Sequence, residues 1–232
     1  MKIGAIVEGH GDVQALPALL RRLGRWLSPD LLLDVPPPMR VPRDPIARAD
    51  TLRRPLELMA NKGGKGAPLL IVLDGDDDCP AELGPRIAAL ARGIRPDREI
   101  GVVVAHREFE AWFLAGAASL RGVRGLSATL DAPADPEAVR DAKGWLSDRM
   151  AQPYSPRVDQ EALARRLDLD LALPRSPSLR KLAREAHARA GARRGPGLSA
   201  RPSRPPSGAT APRYPVLHAP RSVTVRRHDR AG

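Results

Sequence analysis

Three short apolar runs divide the first half of the chain, and a helical pattern follows each of them. Their near-continuous Val, Ile and Leu content is typical of strands that are buried on both faces of a sheet. The runs are "KIGAIVEG" (2–9), "PLLIVLD" (68–74) and "EIGVVVAH" (99–106).

The helical patterns are read from leucine spacing and from proline and glycine positions. After the first run, leucines recur at spacings of three and four from Leu16 to Leu27, and Pro17 puts the predicted helix start near Ala15. Further helices are predicted at 51–64, 80–93 and 107–120, and a short strand at 31–35. Strand–helix alternation of this kind predicts an α/β fold, a Rossmann-like parallel sheet with flanking helices.

The second half of the chain has a different character. Residues 126–190 carry three helical patterns, at 135–150, 158–169 and 176–190, and are predicted to form a helical C-terminal extension. From 191 to 232 Pro, Gly, Ser and Arg dominate without periodicity, which predicts a disordered tail. The predicted organisation is therefore an α/β core (1–125), the extension (126–190) and the tail (191–232).

The formal net charge of +11 comes mostly from the end of the chain. Residues 186–232 hold ten Arg, no Lys and one Asp, which leaves only +2 for residues 1–185. The body is nearly neutral, so the charge is weak evidence that the folded part binds a polyanion. Two interpretations of the tail stay open: a cationic arm that binds nucleic acid, or the product of an unselected reading frame in GC-rich DNA.

Composition also bears on the compartment. The single cysteine, Cys79, excludes an internal disulfide framework and fits a reducing environment. No run reaches about 18 apolar residues, and the N-terminus "MKIGAIVEGHGD" turns acidic too early for a signal peptide. A cytoplasmic protein without a membrane span is expected.

Acidic residues follow all three predicted strands. Glu8 comes after the first, Asp74 and Asp76 after the second, and Glu108 after the third. Parallel strands end at one edge of their sheet, where ligands bind in α/β proteins, so these groups are expected to converge. Two carboxylates about 5 Å apart repel by roughly 3 kcal/mol at an effective dielectric near 20. A divalent cation such as Mg²⁺ or Mn²⁺ is the usual way to offset that repulsion.

Other interpretations of these motifs fit less well. In "DGDDDCP" Cys79 stands where a calcium loop needs glycine, and in "NKGGKGAP" no Ser or Thr follows Lys65 as a P-loop requires. Phosphatases of the haloacid-dehalogenase type place D-x-D after a strand that is usually the first, whereas here the first strand carries Glu8. For Asp78 a role in capping the helix at Pro80 is favoured over metal binding.

An E…D-x-D set on a parallel sheet is the pattern of the Toprim fold, which topoisomerases, bacterial primases and several nucleases share. From about residue 3 to 182 the chain resembles a Toprim-like bacterial family classed as a domain of unknown function, the one numbered 4276. The segments that carry the resemblance are "IVEGHGDVQALPALLRR", "LLIVLDGDDDCPAEL", "VVVAHREFEAWFLA", "DAKGWLSDRM", "YSPRVDQEAL" and "SPSLRKL".

The resemblance implies a catalytic site and a function. It assigns Glu8 as the general acid/base or metal-facing carboxylate and Asp74 and Asp76 as Mg²⁺ ligands. Glu108 is a candidate for a third metal ligand or for a group that supports the ligands, and a simple charge at the helix N-terminus is the alternative. Relatives with this fold act as nucleases in phage defence, so a metal-dependent nuclease acting on DNA or RNA is expected. The alternative is a non-catalytic metal- or nucleotide-binding module that serves a partner ATPase.

Four basic residues are weaker candidates for contacts with phosphate, and a solvated surface role is favoured for each of them. They are Arg107, Lys143, Arg180 and Lys181. His10, two residues after Glu8, fits a substrate contact and a turn position equally well.

Overall fold

A computed structural model describes residues 1–191 of the chain. Four parallel strands form one sheet in the order β2-β1-β3-β4, and helices cover both of its faces. The strands are β1 (Gly4–Val7), β2 (Met39–Arg40), β3 (Leu69–Asp74) and β4 (Ile100–Ala105). The helices are α1 (Asp12–Leu27), α2 (Arg43–Ile46), α3 (Ala49–Gly63), α4 (Pro80–Ile94), α5 (Ala111–Ala115), α6 (Ala142–Ser147), α7 (Pro156–Arg166), α8 (Leu169–Ala172) and α9 (Pro177–Gly191). The predicted α/β fold with a parallel sheet is confirmed.

The three predicted strands form the centre and one edge of the sheet because their side chains are apolar on both faces. In β3, Leu70 and Val72 join the hydrophobic cluster around α1, whereas Leu69, Ile71 and Leu73 join the cluster beneath α3 and α4. The register pairs Val7 with Val72 and Asp74 with Ala105. This alternation explains why these strands read as continuous apolar runs in the sequence.

The helical extension packs directly onto the α/β core. Leu163 of α7 and Leu182 of α9 are fully buried in the same cluster as α1. Trp112 of α5 is also fully buried, and its indole Nε1 donates to Ser178 Oγ at 2.7 Å. The predicted boundary at residue 125 stays a prediction. The predicted disordered tail, 191–232, lies outside the described residues except for Gly191, which ends α9.

Two predicted element positions near the N-terminus were wrong. Helix α1 begins at Asp12 and not near Ala15, because Gln14 N–H and Ala15 N–H already bond to the Gly11 carbonyl before Pro17 is reached. The segment 31–35 forms only one bridge, between Lys2 and Asp34, and the edge strand is β2 instead.

The predicted helix 107–120 is shorter than expected. Arg107 has a left-handed φ of 66°, so the helix cannot begin there. At the other end, α5 stops before Gly116, where a Cβ would lie 2.6 Å from Leu167 Cδ1, and a 3₁₀ turn follows at Ala117–Leu120. The predicted helix 135–150 is likewise divided, into a 3₁₀ turn at Pro136–Ala138 and α6.

Candidate active site

An open cleft of about 660 Å³ lies at the carboxyl ends of β1, β2 and β3. Its carboxylates come from the residue after β1, the start of α1, α2, the end of β3 and the segment after β4, and its far wall is the start of α7. The acidic residues of the lining are Glu8, Asp12, Asp44, Asp74 and Glu110, and the cationic ones are Arg40, Arg43, Lys143 and Arg157. The cleft is thus a site of mixed charge at the edge where α/β sheets bind ligands.

Asp74 is the last residue of β3, and the segment after β4 holds its side chain in place. Phe109 N–H donates to Asp74 Oδ1 at 2.8 Å. Burial raises the pKa of Asp74 well above its usual range, and the nearby carboxylates of Asp12 and Glu110 raise it further. A carboxylate in this position gains from any cation that approaches it.

Asp12 and Glu110 form the buried floor of the cleft, and the sequence interpretation did not assign either to the site. Asp12 is 4% exposed and Glu110 is 1% exposed. Asp12 Oδ2 accepts from Gly9 N–H at 2.8 Å, and its Oδ1 accepts from Gln160 Nε2 at 2.7 Å. Burial raises the pKa of both carboxyl groups. The available signal for Asp12 was its place after "EGHG", at the first residue of the first long helix.

Glu110 connects the floor to the helical extension. Its Oε1 accepts from the Tyr154 hydroxyl at 3.0 Å. Burial and the negative charge of Glu110 raise the pKa of Tyr154, so this hydroxyl stays protonated and acts as a donor. Glu110 stands two positions after Glu108 in "REFEAW", and only the fold shows that it faces inward while Glu108 is partly exposed.

Lys143 of α6 inserts its ammonium group among three carboxylates. Its Nζ lies 3.0 Å from Glu108 Oε1, 3.3 Å from Glu110 Oε2 and 3.9 Å from Asp74 Oδ2. Burial opposes the charged form, but the three carboxylates outweigh it and raise the pKa of Lys143. Glu108 therefore acts on the site through Lys143, and its Oε2 also accepts from the Lys143 backbone N–H at 3.2 Å.

Arg43, at the start of α2, is the cation that lies next to Glu8, as Lys143 lies next to the other carboxylates. Its Nη1 lies 3.5 Å from Glu8 Oε2 and also donates to the carbonyl of Asp74. Burial raises the pKa of Glu8 against the opposing charge of Arg43. Glu8 is therefore a partly buried carboxyl group with one adjacent cation, next to the end of β3.

The remaining aspartates of "DGDDDCP" point elsewhere. Asp76 has a left-handed φ of 47°, its side chain is 66% exposed, and its Oδ2 is 3.9 Å from Arg43 Nη1. Asp77 pairs with Arg140 and Arg107, which lower its pKa. Asp78 pairs with Arg43 and caps nothing, since α4 follows Cys79 without a side-chain cap. The favoured capping interpretation of Asp78 was wrong.

The predicted residues therefore fall into two sets. Glu8 and Asp74 line the cleft, whereas Asp76 lies on the exposed turn beside it and Glu108 lies behind Lys143. Within residues 1–191 no three His, Cys, Asp or Glu side chains converge closely enough to enclose a metal ion. Also within this range, no helix is both long and apolar enough to cross a membrane.

The fold and the cleft define an α/β protein whose polar site lies at the carboxyl edge of a parallel sheet. A family model matches residues 7–185, and the chain belongs to that family, described as Domain of unknown function (DUF4276). The predicted membership of the family numbered 4276 is thereby confirmed, whereas its Toprim-like character stays a prediction. Searches of curated proteins and of solved structures found no match.

Proposed function

We propose that this protein is a Mg²⁺- or Mn²⁺-dependent phosphodiester hydrolase that cleaves nucleic acid, with a role in phage defence. The observation that supports it is the placement of Glu8 and Asp74. Glu8 directly follows β1, Asp74 ends the adjacent strand β3, and both line one open cleft in which the buried carboxylates of Asp12 and Glu110 crowd Asp74. The E…D-x-D pattern to which Glu8, Asp74 and Asp76 belong resembles that of Toprim nucleases, which supports the same proposal from the sequence.

The acidic side chains of the cleft are of the kind that binds a divalent metal, although within residues 1–191 they do not lie close enough together to enclose one. All acidic donors are oxygens, which Mg²⁺ prefers, and one or two carboxylates are sufficient because water and phosphate complete its octahedron. The raised pKa of Asp74 reports a negative charge that lacks full compensation. Glu8 and Asp74 would hold the ion, with Asp76 as the further ligand. When bound, it would polarise the phosphodiester and lower the pKa of a water molecule.

The protein's own residues have separable roles in this proposal. Burial raises the pKa of Glu8 beside one guanidinium, which suits a group that gives and takes a proton during the reaction. Lys143 holds Glu108, Glu110 and Asp74 in place by charge. Arg43 contacts both Glu8 and the end of β3, so it fixes their relative position.

Cleavage by purified full-length protein tests the proposal. With Mg²⁺ or Mn²⁺ the protein should nick plasmid DNA or cleave RNA, and Glu8→Gln and Asp74→Asn should each reduce the rate at least 100-fold, the scale of lost acid–base catalysis. Asp77→Asn is the matched control because Asp77 lies on the same loop but faces Arg140. Cleavage that survives in both site variants contradicts the assignment.

A second candidate function is a non-catalytic metal- or nucleotide-binding module that acts with a partner ATPase. It is favoured by Arg43 and Lys143, which already place cations beside Glu8 and Asp74 in the described structure. In that case Mg²⁺ or a nucleotide should raise the melting temperature, while no cleavage appears with any substrate. Co-purification with an ATPase encoded beside the gene tests the partner directly.

A further inference from the structure

The cations of the cleft fall into two groups. Arg43 and Lys143 lie deep in the cleft, and each is paired with carboxylates of the site. Arg40 and Arg157 are exposed on its rim, and within residues 1–191 neither takes part in an ion pair or a side-chain hydrogen bond. The rim therefore carries two guanidinium groups whose hydrogen-bond donors are not taken up by carboxylates of the described residues.

The two rim residues come from opposite sides of the cleft. Arg40 ends β2, where the register pairs it with Val7 directly before Glu8. Arg157 lies in the first turn of α7, an 11-residue helix whose N-cap, Ser155, makes no side-chain cap bond. The partial positive charge of that helix terminus adds to the guanidinium of Arg157. Beside it lies the amide of Gln160, which is 1% exposed and whose Oε1 has no hydrogen-bond partner.

The described lining contains no Phe, Tyr or Trp side chain. Proteins that bind single strands by stacking use aromatic rings as platforms, and because His10 is the one aromatic ring among the described lining residues, charge is the main means of recognition here. Guanidinium groups bind phosphate oxygens, frequently in a bidentate manner. A ligand that suits the rim is thus a chain of phosphates.

We propose that Arg40 and Arg157 bind backbone phosphates of a nucleic-acid strand and lay it across the cleft without reading its sequence. The identity of the ligand rests on the proposed function, whereas the measurement of its binding does not require any cleavage. Strand binding through phosphates releases counterions, so each arginine contributes a defined part of the salt dependence.

The test is binding of fluorescent 20-nucleotide strands to the full-length protein, in EDTA, across 50–200 mM salt. Arg40→Ala and Arg157→Ala should each lower the slope of log K against log salt by about 0.7 and weaken binding roughly tenfold at 50 mM salt. Arg-to-Lys variants should keep most of the slope, because a charge remains. Arg54→Ala, an exposed arginine of α3 outside the cleft, is the control and should bind like wild type. The arginines of residues 192–232 are the same in every variant and so cancel.

Three outcomes overturn the inference. They are an unchanged salt slope in both rim variants, a loss of strand binding in Arg54→Ala equal to that in the rim variants, and displacement of the strand by a mononucleotide that binds as tightly as the strand does. Two strands of unrelated sequence should bind within about threefold of each other. Because no cleavage occurs in EDTA, failure here is separate from failure of the proposed hydrolysis. If the protein never cleaves nucleic acid but the salt slope of strand binding falls in both rim variants, the inference is supported and the proposed nuclease activity is contradicted.

Discussion

Lys143 Nζ lies 3.3 Å from Glu110 Oε2, and this contact joins the helical extension to the floor of the cleft. Glu110 is almost fully buried, so its charge depends on that ammonium and on the Tyr154 hydroxyl. The extension is therefore part of the site's electrostatics as well as of the hydrophobic core.

Lys143→Met should destabilise the protein at neutral pH. Removing one partner of a fully buried ion pair costs about 3–5 kcal/mol. Because the Lys143 side chain is 39% exposed, solvent screening reduces the expected loss to about 1–3 kcal/mol. Urea unfolding measures it. Lys181→Met, which removes an exposed i,i+4 pair with Glu185, is the control and should cost less than about 0.5 kcal/mol. Equal losses in the two variants would show that Lys143 acts as an ordinary surface residue.

Asp74→Asn should stabilise the metal-free protein at pH values above the unfolded-state pKa of the Asp74 carboxyl group. The pKa of Asp74 is raised in the folded state, so the folded protein binds the proton more tightly than the unfolded chain does. Stability is then greatest below the unfolded pKa and falls as pH rises through the folded pKa. Asparagine keeps the Oδ1 acceptor for Phe109 N–H and removes this loss. Melting temperatures from pH 3 to 8 in EDTA should decline with pH less steeply in the variant.

Asp77→Asn should change the stability of the folded protein in the opposite direction. Arg140 and Arg107 lower the pKa of Asp77, so its charge stabilises the folded state above its unfolded pKa and loses this effect on acidification. The variant should be slightly less stable than wild type at neutral pH and equal to it at low pH. A higher melting temperature in this variant than in wild type would contradict the assigned ion pairs.

Mg²⁺ or Mn²⁺ should raise the melting temperature of the wild type, because a ligand that binds only the folded state stabilises it. At a free concentration of 100 times Kd the gain is about 2.7 kcal/mol. Asp74→Asn should abolish the shift, whereas Asp77→Asn should keep it, since Asp77 faces away from the cleft. The same shift in all three proteins would place the metal elsewhere.

Gly11→Ala should destabilise the junction of α1 and α7. A Cβ at Gly11 would lie 1.8 Å from Gln160 Oε1 and 2.5 Å from the Pro156 carbonyl oxygen, so the two helices would have to separate. Overpacking of this kind costs roughly 1–3 kcal/mol. Gly93→Ala in α4 is the control, since its Cβ would meet nothing within 4 Å. It should stabilise the protein by about 0.5–1 kcal/mol, because alanine favours the helix.

The sequence by itself determined three strands of the sheet and the place of its first acidic groups. Val/Ile/Leu runs and the turns that end them are local features, so β1, β3 and β4 were predictable, as was the position of Glu8 and Asp74 at one edge. Helix limits were less predictable where a distant contact sets them. Gly116 ends α5 because Leu167 packs against it, which no local pattern reveals.

Only the tertiary structure decided which charges meet. Asp12 pairs with Gln160 across 148 positions of the chain, and Lys143 reaches Glu108 across 35. A charged residue in a sequence is compatible with many partners, because Coulomb attraction has no sequence signature of its own. Folding selects among them by burying Asp12 and Glu110, where an unpaired charge is too costly to keep. The acidic motif was therefore recognisable in the sequence. The cations that pair with it, and the buried carboxylates of Asp12 and Glu110 beside it, are defined only by the packing of the extension against the sheet.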